Sequence, residues 1–340
     1  MSETKFKFKS KVKDLRDALA YIDARRKGLI KSLRTPWQKL NDAGIDGIEW
    51  GNCVIFGARP SNFKTTIKDQ IINNAHKLNP DQDFDVIDIR LELSGRRLAN
   101  REFSSVLGKS IKDICSARVP LSDSDFQRLL SYAESVRTSG NTKKFKSMDE
   151  GCTVHEFIDM MEAYFESNSI TTSIPDPKDP NNTIEKKEYR KALIAIDHTR
   201  LFDSRDMDGD IDLLFKYVIK SKRKYDCIYI ILSQLNKDCE KTERRQPGVI
   251  GNYKTMGDLY GSDSASQAAD MIILLDVPAK SGITIYGPDK YIVDDPHLLV
   301  WNFVKNRDDD VQISFFRADG RTMTIHEREP PPMAQSIGKR

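Results

Sequence analysis

Six short apolar runs follow one another along most of the chain, and longer segments with helical periodicity separate most of them. The runs cover residues 53–56, 86–89, 193–196, 228–232, 271–275 and 298–300. Short continuous apolar runs are typical of strands that are buried on both faces of a parallel sheet. Their alternation with helices predicts an α/β fold, with a mostly parallel twisted sheet flanked by helices.

Segments outside these runs complete the predicted organisation. Helical periodicity continues over 125–136 and 155–166, and a stretch rich in Pro, Asp and Asn over 169–188 predicts a surface loop inserted into the domain. An amphipathic helix is predicted before Gly28, from the helical spacing of Val12, Leu15, Ala18, Leu19 and Ile22. Two placements of this helix stay open: on its own domain, or on a neighbouring subunit.

The domain boundaries follow from these patterns. Residues 1–34 are predicted to form a basic N-terminal arm and linker helix for subunit docking, residues 35–326 one large domain, and residues 327–340 a flexible tail. The arm has alternating lysines from Lys5 to Lys13, and Asp14, Asp17 and Asp23 argue against an organelle-targeting peptide.

Composition narrows the class of protein. The 340 residues include 31% charged and 9% aromatic side chains, with a formal net charge of +3, which fits a globular protein and excludes a fibrous or disordered one. No apolar run is long enough for a membrane helix, so we expect a cytoplasmic protein without a membrane partner. The five cysteines have no paired metal-ligand spacing and are predicted to be reduced.

A phosphate-binding loop is predicted directly after the first apolar run, where residues 57–66 read GARPSNFKTT ahead of a helical segment. In such a loop, backbone N–H groups surround the phosphates, a lysine neutralises them and a hydroxyl holds Mg²⁺. Ala58 and Phe63 occupy the two positions where the usual pattern has glycine. The predicted nucleotide-binding residues are Ala58, Arg59, Pro60, Ser61, Asn62, Phe63, Lys64, Thr65 and Thr66.

Strand ends supply the other groups that phosphoanhydride hydrolysis needs. Asp197 follows a buried run and is predicted to share Mg²⁺ with Thr65, while Glu92 is predicted to polarise the attacking water. Gln234 is a candidate sensor of the terminal phosphate. Lys305 and Arg307 follow the last run: within one subunit they are an ordinary basic surface, and presented to a neighbour's loop they are an arginine finger with a lysine helper.

These motifs together identify a family resemblance. In order, and over roughly residues 35–320, the chain resembles the C-terminal motor domain of the DnaB-like replicative helicases, which are hexameric RecA-like ring helicases of bacteria and their phages. The matching segments are the phosphate loop, the glutamate motif at 91–94, the aspartate strand at 194–201, the sensor at 233–236, the pattern at 258–270 and the finger pair at 305–307.

The resemblance implies a RecA-like P-loop ATPase core that uses ATP and Mg²⁺, assembles as a ring of six around single-stranded DNA and unwinds duplex at the replication fork. It implies primase and a helicase loader as partners, and the host cytoplasm as location if the gene belongs to a phage. The DNA-binding candidates are Lys254, which lies in the basic stretch 237–254, and Tyr260, Gly261 and Asp263, which match the family's central-channel loop.

Two departures from the family keep other functions open. Only the predicted helix before Gly28 precedes the motor, in place of the N-terminal domain that many of these helicases carry, so we expect either a minimal phage-type helicase or a primase partner that binds elsewhere. Phe63 stands at a glycine position and brings the rate of hydrolysis into question. The alternatives are a RecA-like recombinase that coats DNA as a filament, and a loader or scaffold that binds ATP with little turnover.

Overall fold

A nine-stranded sheet forms the centre of the computed structural model, which describes residues 10–176, 179–199 and 202–334. The strands of this part of the chain are β1 Cys53–Ala58, β2 Asp85–Arg90, β3 Phe145–Met148, β4 Ser169–Asp176, β5 Asp179–Tyr189, β6 Ala192–Asp197, β7 Ile228–Gln234, β8 Met271–Asp276, β9 Ile285–Tyr286, β10 Tyr291–Ile292, β11 Leu298–Asn306, β12 Ile313–Asp319 and β13 Thr324–Glu327. All six predicted runs lie in strands of the large sheet.

The large sheet has the order β13-β12-β11-β8-β1-β7-β6-β2-β3. The six strands from β8 to β3 are parallel. On the other side of β8, the strands β11, β12 and β13 are each antiparallel to their neighbours. Every residue of β1, β6 and β8 is buried, as expected for parallel strands covered on both faces. The predicted α/β fold with a mostly parallel sheet is confirmed.

Helices cover both faces of the sheet. The α-helices of the described residues are α1 Lys11–Arg26, α2 Gln38–Ala43, α3 Lys64–Leu78, α4 Gly95–Leu107, α5 Ile111–Ile114, α6 Asp123–Thr138, α7 Val154–Ser167, α8 Met207–Tyr225 and α9 Ser262–Ala268, of which α2, α3, α7, α8 and α9 contribute to the two cores against the sheet. Alternate residues of β1 point to opposite faces. Val54 and Phe56 pack in a core with α2 and α3, whereas Cys53 and Ile55 pack in a second core with α7, α8 and α9.

The inserted segment at 169–188 is not the loop that the sequence predicts. It forms an antiparallel hairpin of β4 and β5, with Thr171 opposite Lys187 and Thr172 opposite Lys186. The Pro, Asp and Asn residues that indicated a loop lie around the reversal, while the Thr-rich arm favours strand structure. The composition of the turn therefore concealed the strands on either side of it.

Helix α1 forms at the predicted place, and Ser10 caps it by accepting a hydrogen bond from the Lys13 N–H. None of its residues is buried. Its apolar side chains are more than half exposed: Val12, Leu15, Leu19 and Ile22. Packing of this apolar face on the helix's own domain, one of the two predicted placements, is therefore wrong. Arg25 holds the end of the helix to the domain through the carbonyl of Ile45, at 3.0 Å.

The predicted flexible tail is also corrected over its first half. Ile292 N–H donates to the carbonyl of Pro332 at 2.7 Å, and Ala334 N–H donates to the carbonyl of Lys290 at 2.9 Å. The chain therefore stays paired to the β9–β10 hairpin as far as residue 334. Residues 1–9 and 335–340, which belong to the predicted arm and tail, lie outside the described residues. No helix in the described part of the chain is long and apolar enough to cross a membrane.

Candidate nucleotide-binding site

The predicted phosphate loop joins the buried end of β1 at Ala58 to the start of α3 at Lys64. Lys64 is buried, and its ammonium donates to the carbonyl of Ala58 at 2.7 Å. Burial lowers the pKa of Lys64 to about 8, although Asp197 and Glu92 act in the opposite direction. An anion beside this ammonium would restore its usual pKa, which is the electrostatic property expected of a phosphate-binding lysine.

Two residues of the loop have left-handed backbone conformations although neither is glycine. Ser61 has φ 65°, and Phe63, where the usual pattern has glycine, has φ 65° and ψ 11°. A residue with a Cβ is strained in this region, at a cost on the order of 1–2 kcal/mol. The side chain of Phe63 therefore does not prevent the glycine-like backbone. Its ring packs against the core that includes α3.

The pair predicted to hold Mg²⁺ consists of Thr65, in the first turn of α3, and Asp197, the last residue of β6. Asp197 is buried, and its Oδ1 accepts no hydrogen bond from the described residues. A buried carboxylate oxygen without a partner is costly, and oxygen ligands of this type suit Mg²⁺. The two side chains therefore fit the cation. Residues 200 and 201 of the same predicted motif are outside the described part.

Glu92 and Gln234 reach the same edge of the sheet from β2 and β7, the strands on either side of β6. Glu92 follows β2 and is exposed, and Gln234 ends β7 opposite Ala58 in the β1–β7 register. The Nε2 of Gln234 lies 3.1 Å from the Nε2 of His198. Because β1, β2, β6 and β7 are parallel, their carboxyl ends meet at one edge, the usual position of a ligand site in such sheets.

A cavity of about 620 Å³ opens at this edge. Residues 59–66 of the loop, Glu92 and Gln234 line one part, and Lys280, His297 and Arg321 are among the residues lining the rest. Its size is in the range of small-molecule sites. The geometry thus brings together the predicted phosphate loop with Thr65, the predicted water-activating carboxylate and the predicted phosphate sensor, and Asp197 ends β6 at the same edge.

Lys305 and Arg307 lie at the opposite edge of the sheet, where the parallel strands begin. The backbone N–H of Arg307 donates to the carbonyl of Asp270 at 3.0 Å. The Asp270 carboxylate in turn accepts from the backbone N–H of Cys53, the first residue of β1. The phosphate loop follows the other end of β1, so about 15–20 Å of strand separates the two. Arg307 Nη1 is 3.1 Å from Asp270 Oδ1, and the Lys305 ammonium donates to the carbonyl of Ser266. Neither cation reaches its own subunit's cavity.

The predicted DNA-binding residues do not form one surface. Lys254 is buried, with its ammonium 3.0 Å from Asp276 Oδ2, so the predicted contact of Lys254 with DNA does not fit the structure. A lysine in a basic stretch is usually exposed to solvent. The burial of Lys254 depends on its pairing with Asp276, the last residue of β8. Tyr260 donates its hydroxyl to Asp208 at 2.9 Å, Gly261 with φ 66° precedes α9, and Asp263 is exposed in the first turn of α9.

One buried charge cluster was not predicted. The Lys68 ammonium lies 2.8 Å from Asp88 Oδ1, 3.3 Å from Asp69 Oδ1 and 3.8 Å from Asp197 Oδ2. It therefore links α3 to the strand that ends in the predicted Mg²⁺ ligand. The sequence held a signal, since Lys68 follows Lys64 by one helical turn and Asp88 interrupts an apolar run.

Comparisons with known proteins identify the family and the fold. Residues 32–284 match the family model for the DnaB-like helicase C terminal domain. Among solved structures, one described as an ATPase domain has a TM-score of 0.70 and 18% identity, covering 93% of this chain and 99% of that one. "The Structure Of A DnaB-Like Replicative Helicase And Its Interactions With Primase" also has a TM-score of 0.70 and 18% identity, covering 96% of this chain and 69% of that one.

In a comparison with curated proteins, no sequence matches the chain. The two structural neighbours establish the RecA-like fold, and the family model covers about three quarters of the sequence. The chain belongs to the DnaB-like helicase C-terminal domain family.

Proposed function

We propose that this chain is the motor of an ATP-dependent replicative DNA helicase, which forms a ring, translocates on single-stranded DNA and unwinds duplex at the replication fork. The observation that carries the proposal is the division of the site between two edges of one sheet. The loop, Glu92 and Gln234 line a cavity at one edge, and Arg307 lies at the other. A head-to-tail ring brings the second edge of one subunit to the cavity of the next.

The reaction follows from the side chains at the cavity. Lys64 would bind the terminal phosphate, and Glu92 would accept the proton of the attacking water as the new P–O bond forms and the bond to ADP breaks. Mg²⁺ held by Thr65 and Asp197 would supply positive charge to the phosphates. Gln234, now beside His198, would contact the terminal phosphate and respond to its loss.

The neighbouring subunit would complete the site. Lys305 and Arg307 would approach the phosphates across the interface and stabilise charge in the transition state, as arginine fingers do. Helix α1 would contribute to the same assembly, since its apolar face has no partner within the described residues of its own domain. The exposed lysines and arginine of the 237–254 loop, with Tyr260, Gly261 and Asp263, would contact single-stranded DNA in the ring.

Primase and a helicase loader are proposed as further partners. The primase proposal is supported by the structural neighbour described as a DnaB-like replicative helicase and its interactions with primase. Co-sedimentation of the assembled protein with primase, with and without nucleotide, tests this part of the proposal separately from the chemistry.

Steady-state ATP hydrolysis with and without single-stranded DNA tests the central proposal. We expect DNA to stimulate turnover, and Lys64→Ala or Glu92→Gln to lower it at least about 100-fold by removing a phosphate ligand or the water-activating base. Lys77→Ala is the matched control, because Lys77 is exposed three turns further along α3. Tight nucleotide binding without turnover under any condition would support the scaffold alternative, and filaments in electron micrographs would support the recombinase alternative.

A further inference from the structure

The phosphate loop contains a feature that its chemistry alone does not explain. Ser61 and Phe63 are both left-handed, and Asn62 lies between them. Neither Ser nor Phe has an intrinsic preference for this conformation. Two strained residues this close persist only where contacts from outside the loop hold them in place.

Lys280 supplies such contacts. Its ammonium donates to the carbonyl of Ser61 and, at 3.4 Å, to Oδ1 of Asn62. It also lies 5.1 Å from the centre of the Phe63 ring, within the range of a cation–π interaction. One side chain therefore contacts three consecutive residues, of which the first and the last are left-handed.

The fold explains how Lys280 reaches the loop. It lies in the short turn Pro278–Ser281 directly after β8, and β8 pairs with β1 so that Leu275 is opposite Ala58. The turn therefore leaves the sheet beside the phosphate loop. Within the described residues no carboxylate pairs with Lys280, and burial lowers the pKa of its ammonium. Its polar contacts are directed to the loop.

A second element of the fold also contacts the Phe63 ring. The turn between β12 and β13 approaches it at Gly320, where an added Cβ would lie 3.5 Å from the Cζ of Phe63. The ring thus has contacts with the core, with this turn and with the Lys280 ammonium. A ring at this position gives Lys280 an aromatic surface that glycine could not provide.

We propose that Lys280 is a positioning residue that holds the phosphate loop in its binding conformation around Phe63. The inference rests on the proposed nucleotide site and deepens it, because it explains how the loop keeps a glycine-like backbone without glycine. Lys280 acts on the loop and not on the phosphates. Its contribution therefore depends on the residue at position 63.

A double-mutant cycle tests this dependence. We expect Lys280→Met to weaken binding of a fluorescent ADP analogue with Mg²⁺ by about tenfold, since the strained loop loses a cation–π contact and two charge-assisted hydrogen bonds. The same change made in the Phe63→Gly background is expected to cost less, about threefold, because glycine adopts the left-handed backbone without strain and only the contacts with Ser61 and Asn62 remain. Lys280→Arg, which keeps the charge and the donors, should retain most of the affinity.

Lys191→Met is the matched control. Lys191 also has its ammonium over an aromatic ring, 4.8 Å from the centre of Trp50, but it precedes β6 and so lies at the other edge of the sheet. We expect unchanged affinity for this variant. A general effect of losing a lysine–aromatic contact would lower the affinity of both variants.

Three outcomes would overturn the inference. Binding by Lys280→Met equal to that of the unchanged protein would show that the contacts do not matter. An equal loss with and without Phe63→Gly would show that the effect of Lys280 does not depend on the residue at position 63. Thermal unfolding of the nucleotide-free variants decides the same dependence without ligand, and equal destabilisation in both backgrounds would contradict it. Absence of nucleotide binding by the unchanged protein would instead refute the proposed function.

Discussion

Single residues in this protein are placed by charge as much as by packing, and Lys68 is the clearest case. Its side chain is fully buried and lies within 4 Å of Asp69, Asp88 and Asp197. Burial raises the pKa of Asp69 to about 6, against the effect of Lys68. A buried ammonium among carboxylates is tolerated because each group compensates the desolvation of the others.

Removal of Lys68 is therefore expected to destabilise the fold strongly. Lys68→Met leaves Asp69 without its cation and Asp88 with Arg90 alone, and we expect the free energy of unfolding to fall by about 3–5 kcal/mol. Urea denaturation measures it, with Lys77→Met, an exposed position on the same helix, as control. Addition of Asp69→Asn, which removes a carboxylate paired with Lys68, should recover part of the loss, and equal stability of the single and double variants would contradict the electrostatic explanation.

His76 gives a prediction for pH. Burial lowers its pKa from the usual 6.5, and its Nε2 lies 3.1 Å from the carbonyl of Phe84. The unfolded chain therefore binds a proton more readily than the folded one, so the stabilisation present above pH 6.5 is lost as the pH falls through the lower folded-state pKa. Urea denaturation at pH 7.5, 6.5 and 5.5 should show a smaller loss in His76→Gln than in the unchanged protein.

The control for this experiment is His155→Gln, since His155 is exposed on α7. It should keep the pH dependence of the unchanged protein. If the two substitutions altered the pH dependence equally, the effect would not come from burial of His76.

At the scale of elements, helix α1 is expected to be needed for assembly and to add little to the stability of its own domain. Its apolar side chains are exposed, so they add little to the stability of their own domain. We expect Leu15→Asp with Leu19→Asp to change the free energy of unfolding of the dissociated subunit by no more than about 0.5 kcal/mol. The same variant should fail to form the assembly, because a docked apolar face would carry two charges.

Sedimentation velocity and thermal unfolding distinguish these two effects. Asp17→Asn is the matched control, since position 17 is on the other side of the helix from Leu15. Normal assembly of the Leu15→Asp, Leu19→Asp variant would show that α1 docks nowhere, and loss of the folded subunit would show that it packs on its own domain.

At the scale of the whole molecule, the proposed site is divided between two edges of the sheet. This division predicts that two inactive variants complement each other in mixed assemblies. Arg307→Ala alone should abolish turnover and spare ATP binding, and Lys64→Ala alone should also be inactive. In mixed assemblies, however, an Arg307→Ala subunit supplies an intact loop and a Lys64→Ala subunit supplies an intact finger. We expect the mixture to recover part of the ATP hydrolysis rate.

The rate across mixing ratios is the measurement, with maximum activity near equal amounts. Arg317→Ala is a control, because Arg317 lies on β12 and pairs with Asp295 at 3.0 Å. It should hydrolyse ATP normally without mixing. Normal hydrolysis by Arg307→Ala alone would remove the finger from the proposal, and an inactive mixture would contradict completion of the site by a neighbour.

Local pattern was sufficient for much of this protein. Continuous apolar runs predicted the parallel strands, because a strand covered on both faces must be apolar throughout. Strand-end polar residues predicted the edge at which the proposed site lies, because the carboxyl ends of parallel strands converge at one edge whatever the details of packing. The order of motifs from Lys64 to Arg307 was enough to identify the family.

The remaining features depended on partners that are far away along the chain. Burial of Lys254 requires Asp276, the Lys68 cluster joins α3 to β2 and β6, and the hairpin at 169–189 forms by pairing that its turn-rich composition conceals. Phe63 keeps a glycine-like backbone beside the Lys280 ammonium, which arrives from the end of β8. The sequence by itself determined the layered fold and the edge that carries the proposed site, since both follow from local periodicity. Only the tertiary structure decided which charges are buried and which strained conformations are supported, since desolvation and strain depend on every neighbour in space.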